Sequence, residues 1–351
     1  MLEDVRLGIV GAVWSGWKSV RIERALDAFA GSFELELTDT FPGAPQRLDI
    51  RPGARCVVQA TEDVVITGYV DEVAPSYDGR TRTLTVRGRD RTADLVDCIP
   101  GDGPGEWRDL TPAGIAADIC RPFGIEVVDE ATGSRALNQF KRQEGETARE
   151  TIERAARVRA LWPTTDGLGR LVLKTPDALG LHAGRLALGE NILAASGTFS
   201  TRERFSEYLA HGQNSLEDTI AVDAVVAEVG KAVDAGVVRY RPYAFVSEDL
   251  ADGLTLEDRA GFEATTRAAR ARRATYTVAG WRGTAGRIYQ PGQTLDVVDP
   301  WLGVEGRVRI GRVSLSQTED NGTVAELEVA GLHAFDLLAL KEPTADGGMG
   351  W

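Results

Sequence analysis

Apolar and polar residues alternate with a period of two through residues 17–98, the pattern of strands with one buried face. It predicts strands over Ser19–Glu23 and Ser32–Thr38 joined through Asp27-Ala28-Phe29-Ala30-Gly31, with Phe33, Leu35 and Leu37 facing inward. Arg55–Ala60, Val64–Val73 and Arg82–Gly88 continue the series. Five or six short antiparallel strands punctuated by glycine and proline turns predict a small barrel or sandwich.

One part of this pattern occurs twice. Residues 67–96 align without a gap onto 310–339, matching Gly68/Gly311, Val70/Val313, Gly79/Gly322, Leu84/Leu327, Val86/Val329, Gly88/Gly331 and Leu95/Leu338. Upstream, Arg51-Pro52-Gly53 has its counterpart in Gln290-Pro291-Gly292. Chance likeness between two hairpins is the bland alternative. The ungapped alignment and the matching Pro-Gly turns favour two related β-domains. The structural repeat positions Gly68, Gly79, Gly88, Gly311, Gly322 and Gly331 are then places where a Cβ would crowd a turn or a neighbouring strand.

From residue 99 the pattern changes. Pro100-Gly101-Asp102-Gly103-Pro104-Gly105 is a composition break. Thr111-Pro112 opens a helix with Ile115 and Ile119 on its buried face, closed by Pro122 and Gly124. Thr147 with Glu150 forms a capping-box signature for a second helix running to about Ala160. Strands Leu161–Thr165 and Arg170–Lys174 follow. Further strands are expected at Ile192–Phe199, Phe205–His211 and Arg239–Val246, the last interrupted by Pro242. Ile220–Val229 suits a helix or a strand equally. Thr255 and Asp258 cap a third helix, roughly 256–273, ending in Arg267, Arg270, Arg272 and Arg273, and strands resume from Thr275.

The expected organisation is a first β-barrel domain at 1–98, an α/β domain at 99–188, and a second β-barrel split between 189–213 and 274–340. An α/β insertion occupies 214–273, and 341–351 is a mobile tail. The fold class is α+β, mainly β, with two similar antiparallel β-barrels and smaller α/β domains.

Composition narrows function. The chain has 351 residues, 43% of them hydrophobic, enough for true cores. A net charge of −13 opposes sequence-independent binding to nucleic acid or an anionic membrane. The N-terminus lacks the pattern of a signal peptide, and no run is long and apolar enough to span a bilayer. Cys56, Cys98 and Cys120 are widely spaced and read as free thiols.

Legible chemistry is sparse. His182, His211 and His333 sit in no metal-binding spacing, and no nucleophile elbow or phosphate loop occurs. Glu106 and Asp109 could be written as a glycosidase pair, but 53 acidic residues produce such pairs everywhere. The arginines at 267–273 suit the C-terminal turn of a helix better than an anion site. Trp14 and Trp17 read as packing residues, and the seven tryptophans form no platform. No catalytic, cofactor-binding or metal residue is assigned.

Several stretches together resemble the Mu-type phage baseplate hub family. They are Trp17-Lys18-Ser19-Val20-Arg21, Ala30-Gly31-Ser32-Phe33, Arg51-Pro52-Gly53, Thr67-Gly68-Tyr69-Val70-Asp71 and Gly88-Arg89-Asp90-Arg91-Thr92-Ala93-Asp94-Leu95-Val96-Asp97. Later ones are Gly189-Glu190-Asn191-Ile192-Leu193, Glu203-Arg204-Phe205-Ser206-Glu207-Tyr208 and Arg239-Tyr240-Arg241-Pro242. No motif is diagnostic alone; their order and spacing carry the resemblance to about residue 340.

The resemblance implies a homotrimer in the virion tail baseplate, assembled in the host cytoplasm. Its barrels would form a pseudo-six-fold ring that adapts the six-fold tube to a three-fold spike and lines the DNA path. Implied partners are a separate central spike protein, tail tube or distal tail proteins, baseplate wedge proteins and the tape measure protein. It implies no enzyme activity, cofactor, sequence-specific nucleic acid binding or membrane insertion. The same architecture is expected in the N-terminal part of type VI secretion spike proteins. The rival reading is a carbohydrate-binding or cell-wall-degrading tail-tip protein, which would need exposed tryptophans in one platform or a convergent cleft.

Overall fold

The strands of the two repeat regions join one another instead of closing on themselves. In the computed structural model the described residues are 3–9, 12–38, 50–79, 81–101, 103, 105–131, 133–212, 229–247, 250–251 and 253–342. The main element is a 13-stranded sheet. Its path runs Ile192–Phe199, Arg272–Ala279, Gly322–Gly331, Val304–Thr318, Ser19–Ala25, Ser32–Thr38, Arg82–Asp90, Asp63–Tyr77, Arg55–Ala60, Val5–Ile9 and Ala12–Trp14. Thr294–Asp299 branches from Val304–Thr318 and carries His182–Ala187 beside it in parallel.

Alternation produces these strands as expected. In Ser32–Thr38, Phe33 and Leu35 are buried while Glu34 and Glu36 between them are half-exposed. Leu35, Ile22, Val86 and Ile66 from one half pack in the same apolar cluster as Tyr276, Leu295, Ile310 and Leu327 from the other. A single core therefore serves both halves.

This corrects the two-barrel expectation. Among the described residues the strands form one open sheet, because Ser19–Ala25 pairs with Val304–Thr318 of the other half instead of closing its own. His182–Ala187, placed with the α/β segment by its sequence, belongs to this sheet. Val5–Ile9 and Ala12–Trp14 are further strands that sequence reading did not resolve.

Residues 92–175 build a separate core around Phe140, Ile115, Ile152 and Leu171. Helix α1 (Ala93–Asp97) leaves the sheet. Helix α2 (Pro112–Cys120) is capped by Thr111, whose Oγ1 accepts the Gly114 N–H at 3.1 Å. Helix α3 (Ala148–Arg157) carries the Thr147–Glu150 capping box. Val127–Asp129, Leu171–Lys174 and Trp162–Thr165 form a small sheet, and Glu106–Leu110 pairs with Leu137–Lys141.

A third unit lies between Phe199 and Arg272. Glu207–His211, assigned by sequence to the split barrel, pairs instead with Val229–Val233 and Pro242–Val246. Helix α4 (Leu256–Arg270) packs on this three-stranded sheet through Ala260 and Ala264. Most of the ambiguous segment 220–229 lies outside the described residues; Val229 opens a strand. Helix α4 stops at Arg270, and Arg272 and Arg273 already belong to the next strand.

Candidate functional site: the strand junction and the open sheet edges

The two halves of the main sheet share one strand order. Val5–Ile9, Arg55–Ala60, Asp63–Tyr77, Arg82–Asp90, Ser32–Thr38 and Ser19–Ala25 stand in the sequence of places taken by His182–Ala187, Thr294–Asp299, Val304–Thr318, Gly322–Gly331, Arg272–Ala279 and Ile192–Phe199. Only the first pair differs in direction: Val5–Ile9 runs antiparallel to its neighbour, and His182–Ala187 runs parallel.

Backbone hydrogen bonds give the correspondence residue by residue. The Gly53 N–H donates to the Val70 carbonyl at 2.7 Å and the Val70 N–H to the Ala54 carbonyl at 3.0 Å. The Gly292 N–H donates to the Ile310 carbonyl at 2.8 Å and the Ile310 N–H to the Gln293 carbonyl at 2.8 Å. Gly53 and Gly292 both hold positive φ, +81° and +88°, which is why each turn needs glycine. Facing its hairpin partner, each long strand then bulges once, at Asp71 and at Gly311.

Val70 therefore corresponds to Ile310, not to Val313. The glycines matched in the sequence fall out of register. Gly68 faces Asp90 across the ladder, whereas Gly311 is itself the bulged residue. Gly88 faces Val70, and its structural equivalent is Val329. A Cβ on Gly68 would lie 1.9 Å from the Arg89 carbonyl oxygen, and one on Gly88 2.2 Å from that of Tyr69. On Gly331 the nearest atom would be Ala269 Cβ at 3.3 Å, and on Gly311 a Phe335 ring atom at 2.8 Å. Gly79 meets nothing within 4 Å, and Gly322 is required for φ +65°.

The halves meet where Arg312–Thr318 pairs with Ala25–Ser19 in reverse. Trp281 Nε1 donates to the Ser316 and Val324 carbonyls, both at 3.0 Å, beneath this seam. Arg282 reaches back to Glu3 at 2.9 Å and Asp63 at 2.6 Å. Under the sheet lies a buried polar group invisible to pattern reading. Arg24 Nη2 donates to the Thr165 carbonyl at 2.7 Å, and Thr165 Oγ1 donates to Asp90 Oδ2 at 2.9 Å. Burial pushes the Asp90 carboxyl up to about 6, against the pull of Arg24 and Thr165. This group ties the 92–175 unit to the seam.

Among the described residues, two long strand edges lack a partner at corresponding places in the two halves. Residues 71–77 of Asp63–Tyr77 pair with Arg82–Asp90 on one side and with no described strand on the other. Ile192–Phe199 ends the sheet path, and every residue from Leu193 to Phe199 is exposed.

The residues tested for chemistry do not converge. Glu106 accepts from Arg108 and Gln139, and Asp109 is exposed, with positive φ, on the strand Glu106–Leu110. His182 lies by Thr294 and Asp296, His333 bonds Asp336, and His211 sits in a strand pair. Among the described residues no group of three or more His, Cys, Asp or Glu could hold a metal ion. Burial pushes the Cys56 and Cys120 thiols up to about 12, and Cys98 is exposed.

Of the arginine cluster, Arg267 and Arg270 lie in the last turn of α4 as expected, and their side chains also make specific contacts; Arg272 and Arg273 lie on the following strand. Arg267 pairs with Glu263 and stacks on Tyr243 and Phe205, Arg270 donates to the Ala334 carbonyl, and Arg272 to that of Gly303. Trp17, Trp107 and Trp281 are buried, whereas Trp301 is exposed. Of the tail, Glu342 accepts from the Asn138 N–H at 3.0 Å and pairs with Arg159, so 341–342 are anchored; 343–351 lie outside the described residues.

An open, internally repeated sheet with anchored α/β satellites is a fold this chain shares with phage tail proteins. Family models match in sequence: the N-terminal domain of the Mu phage baseplate assembly protein GpP-like at 4–90, the second domain of the baseplate hub protein gp44-like at 92–175, and the fourth domain of GpP at 254–338. Baseplate hub protein gp44 of Escherichia phage Mu is 29% identical over 343 residues, covering 95% of this chain and 89% of the relative. The 43 kDa tail protein of prophage MuSo2 from Shewanella oneidensis is 32% identical with a TM-score of 0.81, covering 95% of this chain and all of the other. A tail protein from Neisseria meningitidis MC58 shares the fold at 21% identity, with a TM-score of 0.78 over 96% of this chain and 99% of its own. The chain belongs to the Mu-type phage baseplate hub family.

Proposed function

We propose that the chain is the structural hub of a phage tail baseplate. Three copies form a ring of six similar half-sheets, which lets a three-fold central spike meet a six-fold tail tube. The observation that carries this reading is the shared strand order of the two halves within a single chain. Closed cyclic assembly turns two similar halves in three copies into six similar positions.

The net charge of −13 suits a ring through which DNA passes without sticking. Its partners are the spike on one side and tube, wedge and tape measure proteins around it, with no turnover at any of them. Sedimentation of the purified chain, with electron micrographs of the same sample, tests the reading. A ring of three copies with six similar lobes is expected. A monomer at all concentrations, or a ring of another order, overturns it.

A further inference from the structure

The guanidinium of Arg24 is buried with most of its donors idle. Arg24 is 8% exposed, and its hydrogen bond among the described residues is the one from Nη2 to the Thr165 carbonyl. Its Nε is buried with no partner. Arginine keeps its charge and carries several N–H donors, so a desolvated guanidinium held by one carbonyl is costly. The carboxylates that act on it, Asp90 and Asp166, are engaged elsewhere. Thr165 Oγ1 donates to Asp90, and Asp166 pairs with Arg170 at 2.6 Å. The strand does not itself call for a cation here: carried through the ladders, the place of Arg24 in the second half is taken by Phe199.

Beside this group lies a cavity of about 60 Å³ that opens to solvent. Arg24 and Gly31 line it from the first half, Thr164, Asp166 and Lys174 from the 92–175 unit, and Pro291 from the second half. All three parts of the molecule meet around it. Its volume is well above the roughly 10–15 Å³ that one water needs. Lys174 brings a second cation, paired with Glu130 at 3.1 Å.

We propose that this cavity binds a small carboxylate anion, of the size of formate or acetate, on the guanidinium of Arg24 with Lys174 beside it. A planar guanidinium matches a carboxylate through two parallel N–H···O bonds. A single negative charge fits best, because Asp166 lines the same cavity and Asp90 lies behind Thr165, and both repel a dianion. The bound ion joins the 92–175 unit to both halves of the sheet. It stands independently of the hub reading.

Asp90 gives the site a pH dependence. Burial pushes its carboxyl up to about 6, and once protonated it no longer competes for Arg24. The anion therefore binds more tightly below about pH 6 than above it. The other charged groups around the cavity are Asp166 with Arg170 and Lys174 with Glu130.

Thermal melts of the full chain test this at constant ionic strength, with chloride exchanged stepwise for formate. A saturating rise of several degrees is expected, larger below about pH 6 than above it. Arg24→Met keeps an apolar stem and removes the guanidinium. It is expected to lose the saturating rise while its far-ultraviolet circular dichroism is unchanged. Titration calorimetry of the parent with formate reads the affinity directly should Arg24→Met not fold, and Lys174→Gln is expected to weaken it several-fold. Asp90→Asn removes the competing charge and is expected to bind formate equally at either pH.

An equal response in the parent and Arg24→Met is a general salt effect and overturns the site. A response confined to molar salt marks an adventitious ion only and overturns it too, as does the absence of any heat of binding. Phosphate bound as tightly as formate overturns the carboxylate assignment. Affinity in the parent that does not change with pH overturns the coupling to Asp90.

Discussion

Replacing Gly88 by alanine should be far more damaging than the same change at Gly331, although the two align in the sequence repeat. At Gly88 the added Cβ would sit 2.2 Å from the Tyr69 carbonyl oxygen and 2.5 and 2.6 Å from Phe33 ring atoms. Gly88 is held between Phe33 and Val70 in the middle of the sheet, and Phe33 is only 3% exposed. Relief needs the strand or the ring to move by about 1 Å. Bond-angle distortions of about 15° cost about 4 kcal/mol, and overpacking a core costs about 1–3 kcal/mol. The expected loss is therefore about 3–5 kcal/mol.

At Gly331 the new Cβ meets Ala269 Cβ at 3.3 Å, and φ −57° with ψ 152° suits alanine. Reduced freedom of the unfolded chain returns about 0.4–1 kcal/mol, so this variant should stay within about 1 kcal/mol of the parent. Urea titrations followed by tryptophan fluorescence measure both. In thermal melts the Gly88 variant should fall by roughly 6–20 °C, at about 2–4 °C per kcal/mol. Equal losses at the two positions would refute the register derived from the strand ladders.

Two further outcomes are expected. Asp90 holds its proton more tightly folded, near pH 6, than unfolded, near about 3.9, so the native state binds more protons between those values. Its contribution is complete below about pH 4 and is lost as pH rises through about 6, on the order of 2–3 kcal/mol. Asp90→Asn should flatten that part of the stability curve relative to the parent; parallel curves from pH 4 to 7 would contradict the assignment. A thiol reagent at pH 8 should titrate Cys98 quickly and reach Cys56 and Cys120 only on unfolding, since burial pushes both buried thiols up to about 12. Rapid labelling of all three in the native protein would count against the buried cores.

Local rules made much of this chain readable. Thr111 before Pro112, Thr147 with Glu150, and Thr255 with Asp258 cap helices where their side chains predict, because capping depends on residues three apart. Alternation located the strands around Phe33, Leu35 and Val86, because a strand facing one core writes its period into neighbouring residues. The Pro-Gly turns at Gly53 and Gly292 were matched correctly because both need positive φ.

What the sequence could not determine was register and connection. In Gly322–Gly331 the alignment by sequence differs from the ladder by two residues, and a two-residue slip leaves every side chain on its own face. At Val70 and Val313 it differs by three, but the bulge at Gly311 lies between Ile310 and Val313, so both valines are buried and the error is hidden. Only the backbone hydrogen bonds distinguish these alternatives. The buried contacts of Arg24 and Asp90, the parallel placement of His182–Ala187, and the choice of an open sheet over two barrels all depend on partners distant in the chain. Period and capping are local quantities, whereas the pairing of an edge is decided by which strand arrives beside it.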